Sequence, residues 1–163
     1  FSKLENAIIV QAGCSSKEEI LDLKINSSNP LISTFSEHWD KGRFKNSKWD
    51  KSLKIKTITL DKLISKYGHP SYIKIDVEGF EYKVVKGLSK KTGIISFEFT
   101  SEFFQESVNC LNYLEKLGYE KFNFSEGERK KFSTSWLKKN QLIASINDEI
   151  KKDSLFWGDI YCR

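Results

Sequence analysis

The sequence predicts an α/β fold on a largely parallel sheet that finishes in an antiparallel pair of strands. Three observations carry this. Strand-like segments alternate with stretches whose apolar residues recur at helical spacing, the order that crossover connections produce. Residues 72–77 and 94–100 both alternate apolar with polar side chains, and Phe80, Val84, Val85 and Leu88 lie between them at helical spacing. The last two strand-like segments, 119–124 and 155–162, are separated by a polar, basic stretch without a strong helical stripe, which suits an antiparallel return.

Taken in order, residues 6–12 (NAIIVQA) read as a buried strand, because 7–10 is an unbroken apolar run. Gly13 to Ser16 ends it. Ile20, Leu21, Leu23 and Ile25 suggest a short strand, followed by a loop through Pro30. Residues 31–52 are loop-like yet hold Ser33, Thr34, Phe35, His38, Trp39, Phe44 and Trp49, and long ordered loops are usually functional. Residues 53–59 alternate as a strand. Leu60, Leu63, Ile64 and Tyr67 then form a helical stripe that Thr59 or Asp61 can cap and Gly68 ends. After the 72–77 strand, Gly79 turns the chain into a helix closed by Gly87. Residues 94–100 (IISFEFT) form the next strand. Thr100 or Ser101 caps a helix to Leu117, with Cys110 near its apolar stripe and Gly118 closing it. Residues 125–128 turn the chain into a basic excursion, from which Trp136 and residues 142–146 return to the core. The final strand is interrupted at Gly158, as at a bulge.

The 163 residues suffice for one domain with a core and fall short of two, so 1–163 is expected to be a single unit. The hydrophobic fraction of 39% is that of a soluble globular protein, and the apolar runs are too short to span a bilayer, so no membrane is expected. The net charge of +5 comes from scattered lysines without an arginine-rich arm or a stacked-aromatic motif, which argues against nucleic acid. Cys14, Cys110 and Cys162 are widely spaced and lack a metal pattern, so reduced thiols in a cytoplasmic protein are expected. The chain begins with Phe1 and contains no Met, which suggests a processed or internal fragment.

The chemistry concentrates at YIKIDVEGFE. Lys74, Asp76 and Glu78 share one strand face, and the carboxyl ends of strands in an open parallel sheet line its ligand crevice. Asp76 and Glu78 are therefore candidate site residues, and Glu98 joins them if the two strands are neighbours. A plainer reading has Glu78 and Glu81 complementing the positive end of the helix, and Lys74 pairing with Asp76 about 7 Å along the same face. His38 can act as a general base near neutral pH, or simply pack beside Trp39. Trp39 and Trp49 can stack on a sugar ring, or form a small core under the loop.

The run TLDKLISKYGHPSYIKIDVEGFEYKVVKGLS resembles the diagnostic centre of the FkbM family of S-adenosylmethionine-dependent methyltransferases, through Lys74, Ile75, Asp76, Val77, Glu78, Gly79, Glu81 and Gly87. The segments SFEF (Ser96 to Phe99), STF (Ser33 to Phe35) and GDIY (Gly158 to Tyr161) resemble parts of some members. The resemblance implies a Rossmann-like, seven-stranded methyltransferase sheet with residues 6–12 as its third strand and 72–77 as its fourth. The family's glycine-rich loop and ribose-holding acidic residue have no counterpart here, which implies N-terminal truncation. It implies S-adenosylmethionine as cofactor, with Ala12, Gly13 and Cys14 beside the adenine and Asp76 near the methyl group. Glu78 or His38 would take the acceptor's proton, and Ser33, Thr34, Lys74 and Glu98 would contact a hydroxylated small-molecule or glycan acceptor. No resident metal is expected, although Asp76 and Glu98 are the pair suited to Mg²⁺. The alternative is a non-catalytic sugar- or partner-binding domain of the same fold. Dinucleotide binding fails for want of GxGxxG.

Overall fold

The computed structural model describes residues 6–129 and 131–163. Its strands and helices run β1 (Gly13–Cys14), β2 (Ile20–Ile25), β3 (Lys51–Ile58), α1 (Leu60–Tyr67), β4 (Tyr72–Ile75), α2 (Glu81–Val85), β5 (Ile94–Thr100), α3 (Phe104–Lys116), β6 (Phe122–Glu126), α4 (Lys139–Lys152) and β7 (Trp157–Cys162). Single 3-10 turns lie at Pro30–Ile32, Trp39–Lys41 and Ser101–Phe103. No helix among the described residues is long and apolar enough to cross a membrane.

The strands form two sheets, β1-β3-β2 and β4-β5-β7-β6. The chain is α/β, but these sheets are small and mixed, not mostly parallel. β1 lies parallel to β3 and β4 to β5, whereas β2–β3, β5–β7 and β6–β7 are antiparallel. The cause is connectivity: β2 and β3 are joined by a loop that simply reverses the chain, and β7 returns between β5 and β6. The expected antiparallel pairing of the last two strands is present, and β7 extends it to β5.

Residues 7–11 do not form the buried strand that their composition predicts. They carry no strand pairing, Ile8 and Ile9 are 70% and 75% exposed, and the ladder begins only where Gly13 meets Thr57. An apolar run is buried only where neighbours cover it. Here Ile8 and Val10 instead line one wall of a groove of about 530 Å³, with Leu60, Leu63, Tyr67 and Tyr72 among its other walls. β4 is consequently an edge strand of its sheet among the described residues, not a central one.

The helix after β3 forms as its stripe predicts. Thr59 accepts from the Lys62 N–H, and Gly68, at φ 95°, supplies the left-handed residue that ends it. The helix after Gly79 is shorter than its spacing suggests, only five residues. Thr100 does not cap the next helix; a 3-10 turn intervenes, and the Thr100 hydroxyl is left buried without a partner.

β5 is the centre of the core. Phe99 packs against Phe104, Phe124 and Phe156 at centroid separations of 5.9, 6.3 and 5.8 Å. Each such ring removed from water contributes about 1.5–3 kcal/mol. α2 packs on α3 and α3 on α4, with Cys110, Leu111, Leu114, Leu142 and Ile146 fully buried. All three cysteines are unpaired.

α4 occupies a region where an irregular excursion is expected. Its buried positions, Leu142 and Ile146, form a narrow stripe within a lysine-rich sequence, and the Gln141 side chain accepts from the Lys138 N–H at the start. Trp136 stays half-buried at the surface, with the Arg163 guanidinium 4.1 Å from its ring centroid.

Gly158 marks no bulge. The β5–β7 register runs unbroken through it, opposite Phe99. Glycine is required by proximity: a Cβ would lie 1.9 Å from the Ser125 carbonyl oxygen. Replacing Gly158 by Ala should therefore destabilise the fold by about 1–3 kcal/mol, measured by urea denaturation. An unchanged midpoint would show that β6 can move aside.

Candidate active site

β4 ends at Ile75, so Asp76, Val77, Glu78 and Gly79 form a turn beyond the last strand pair. Glu78 has φ 53°, the one positive value at a non-glycine residue among those described, and Gly79 follows at 85°. Left-handed backbone at a glutamate costs about 1–2 kcal/mol and persists only where surroundings impose it. Two contacts impose it here. Glu81 Oε1 accepts from the Gly79 N–H at 3.2 Å and from Val77 at 3.4 Å. From the opposite side, the Thr34 hydroxyl donates to the Glu78 carbonyl at 2.6 Å.

Above the turn lies the loop from Ser33 to Ser47. Trp39, 3% exposed, covers Gly79 so closely that a Cβ there would meet its ring at 2.5 Å. Phe44 and Phe103 hold the indole, each at 5.5 Å between centroids. Arg43 fastens the loop to the sheet end with a two-pronged bond to Glu102, at 2.9 and 2.7 Å.

The turn and the neighbouring strand bring Asp76, Glu78 and Glu98 together, with one carboxylate oxygen from each lying within 4.8 Å of the others. Lys74 sits beside them, bonded to Asp159 and 3.8 Å from Asp76. Burial raises the Glu78 carboxyl to about 7, assisted by Asp76 and Glu81 and opposed by Trp39 and Arg43. Glu98 is also raised to about 7, by burial first and then by Glu78 and Asp76. Burial favours the neutral form of Lys74, but Asp159, Asp76 and Glu98 outweigh it and raise its pKa. Glu81, 8% exposed, reaches about 7 through burial, against the pull of the N–H groups it accepts from.

The turn also borders open space. A cavity of about 10 Å³, room for one water, is lined by Trp39, Gly79, Glu81, Glu98 and Thr100. On the other side of Gly79 a cleft of about 500 Å³ opens between Phe35, His38, Phe80, Tyr82 and Phe103. Carboxylates that exchange protons near neutrality beside such a cleft can hold and deprotonate a hydroxyl.

The three clustered carboxylates lie within one recognised block: the model of the methyltransferase FkbM domain matches residues 2–121. The chain belongs to the FkbM methyltransferase family. No curated protein and no solved structure matches it. The FkbM match contains Asp76, Glu78, Glu81 and Glu98 and stops just before β6, so Asp159 lies outside it.

Of the residues expected from sequence, the structure gathers Asp76, Glu78, Glu98 and Lys74, and it sets Thr34 behind the Glu78 peptide. His38 is exposed on the rim of the cleft, 3.1 Å from the Lys41 ammonium, and is not part of the cluster. Ser33 turns back to Pro30. Gly13 and Cys14 pair with Thr57 and Ile58, and with Ala12 they line neither the cleft nor the groove. Trp39 is buried by its neighbours and presents no stacking surface, whereas Trp49 is half-buried with its Nε1 inside. Sequence reasoning missed Asp159, which stands opposite Glu98 only because β7 returns beside β5. It also missed that Glu81 holds the turn from within the protein.

Because Glu81 keeps its proton longer when folded, its contribution to stability is greatest below pH 4.5 and is lost as pH rises through about 7. The loss amounts to about 3 kcal/mol. Gln retains the accepting oxygen without the titration, so Glu81→Gln should show a smaller fall in unfolding free energy between pH 5 and 8. An equal fall in both proteins would assign the dependence to other groups.

Proposed function

We propose that this FkbM-family domain transfers a methyl group to a hydroxyl of a small molecule or glycan, with S-adenosylmethionine as donor. The observation that carries the reading is the convergence of Asp76, Glu78 and Glu98 at a turn whose Gly79 lines the cleft of about 500 Å³. A donor of this kind supplies an electrophilic methyl group on a sulfonium centre. The carboxylate cluster fits that positive charge, and Asp76, the exposed member, is the residue to face it.

The chain's own residues have separable parts. Glu78, held in the turn by Thr34, Trp39 and Glu81, takes the proton from the acceptor hydroxyl. Its pKa of about 7 suits that exchange near neutral pH. Glu98 and Lys74 contact the hydroxylated acceptor, with Lys74 fixed in place by Asp159. Phe35, Phe80 and Phe103 give the cleft apolar walls against which a ring can rest and water is reduced.

The reading is tested by following labelled methyl from S-adenosylmethionine into a panel of hydroxylated acceptors. Glu78→Gln should lower turnover about 10²–10⁴-fold, the usual worth of a positioned base. Asp76→Asn should lower it without loss of thermal stability. Wild-type turnover in Asp76→Asn would remove Asp76 from the mechanism. Retention of glycans without any methyl transfer would favour the non-catalytic binding domain.

A further inference from the structure

The cleft beside Gly79 has a more definite chemistry than a general acceptor site. Phe35, Phe80, Tyr82 and Phe103 line it, and all four rings are half-buried. Phe35 and Phe80 stand 5.5 Å apart between centroids, tilted by 51°. Both hang from the turn that carries the carboxylates. Thr34 anchors the loop to the Glu78 carbonyl one residue before Phe35, and Phe80 follows Gly79 directly. Behind Phe35 stands Gly13, where a Cβ would lie 2.9 Å from the ring. The glycine leaves the room that the ring occupies.

The rest of the lining is polar. Ser36 Oγ accepts from the His38 N–H at 3.2 Å, which leaves its own hydrogen to donate. Among the Lys and Glu side chains of the cleft, Lys17 and Glu19 are paired at 3.1 Å. Glu37, Glu106 and Lys83 are exposed and, among the described residues, belong to no ion pair. The cleft therefore carries one more carboxylate than ammonium, although the protein as a whole has a net charge of +5. An anionic ligand is drawn to the protein at large and turned away from this part of it.

Resting on the methyl-transfer reading above, we propose that the cleft takes one uncharged pyranose ring as the acceptor and rejects the corresponding uronic acid. A pyranose presents C–H groups on its faces and hydroxyls around its edge. The C–H hydrogens are weakly positive and suit the negative faces of Phe35 and Phe80. The hydroxyls donate to the Glu37 and Glu106 carboxylates and accept from Ser36 and Lys83. A flat aromatic acceptor would use the rings and leave those polar groups idle. The volume of about 500 Å³ falls within the range of about 300–1,000 Å³ usual for small-molecule sites. Phe35 and Phe80 thus select the acceptor and take no part in proton removal.

The test reads binding without S-adenosylmethionine, so it can fail while methyl transfer stands, and the reverse. Saturation-transfer NMR, with the protein's aromatic protons irradiated, is run on the full chain with methyl hexopyranosides of the gluco, galacto and manno series and with the matching methyl hexuronides. At least one hexoside should receive saturation at its ring C–H protons and bind about fivefold more tightly than its uronide. Phe35→Ala should weaken that binding about tenfold, while Glu149→Gln, in a surface pair with Lys152, should leave it unchanged. Glu37 and Glu106 are exposed, so a double variant at the rim decides the matter if Phe35→Ala fails to fold. Glu37→Lys combined with Glu106→Lys should turn the preference toward the uronide. Hexosides that receive no saturation, a uronide bound by the wild type as tightly as its hexoside, or an unchanged preference in the double variant would each overturn the proposal.

Discussion

The geometry at the end of β4 depends on a single buried carboxyl group. Glu81 reaches back across the turn to the N–H groups of Val77 and Gly79, which would otherwise be left unpaired at the end of the strand. A buried donor without a partner costs about 1–3 kcal/mol, so the two bonds together outweigh the strain of left-handed backbone at Glu78. Once the turn is fixed, the Glu78 side chain has little choice of direction. It is carried toward Glu98 on the neighbouring strand. The order of cause is thus Glu81, then the turn, then the cluster.

The loop from Ser33 to Ser47 works on the same turn from outside. Its contribution is shape more than affinity: Trp39 fits only because residue 79 has no side chain, and Thr34 fits only because the Glu78 carbonyl points outward. Neither contact would survive if the turn adopted ordinary right-handed backbone. Arg43 and Glu102, with side-chain exposures of 22% and 18%, close the arrangement at its far end. Their planar two-pronged contact in a half-buried place contributes more than an exposed pair of the same charges. The loop, the turn and the start of α3 therefore form one mechanically connected unit around the carboxylates.

How far this was legible in the sequence follows from the range of each interaction. α1 was read correctly because its signals are local: a Thr cap, a four-residue apolar stripe and a glycine stop. β5 was read to the residue because its alternation is strict and both ends change character. Residues 7–11 were misread because burial of an apolar run depends on what lies beside it, which composition does not specify. α4 was missed because only two of its positions are fully buried, and its lysines resemble those of a solvated loop. At the site, Asp76, Glu78 and Glu98 were visible as charged members of apolar patterns. The partnership of Lys74 with Asp159 spans 85 residues and depends on β7 returning beside β5, an arrangement no local pattern encodes.

The concentration of like charge is the feature that a fold selected for stability alone would discard. Glu98 could be replaced by an apolar residue on the same strand position at little structural cost, since Ile95, Phe97 and Phe99 already anchor the strand. Instead the chain keeps three carboxyl groups close together, raises the affinity of Glu78 and Glu98 for protons, and leaves the buried Thr100 hydroxyl without a partner. Sites that break the local rules of packing in this way are most often functional ones. The structure makes the same point through position. The cluster lies where β4 stops, at a turn with a cleft on one face, while Glu81 and Lys74 hold its two sides. A charge cluster placed there, and held there by Glu81 and Lys74, is best understood as machinery for a polar ligand.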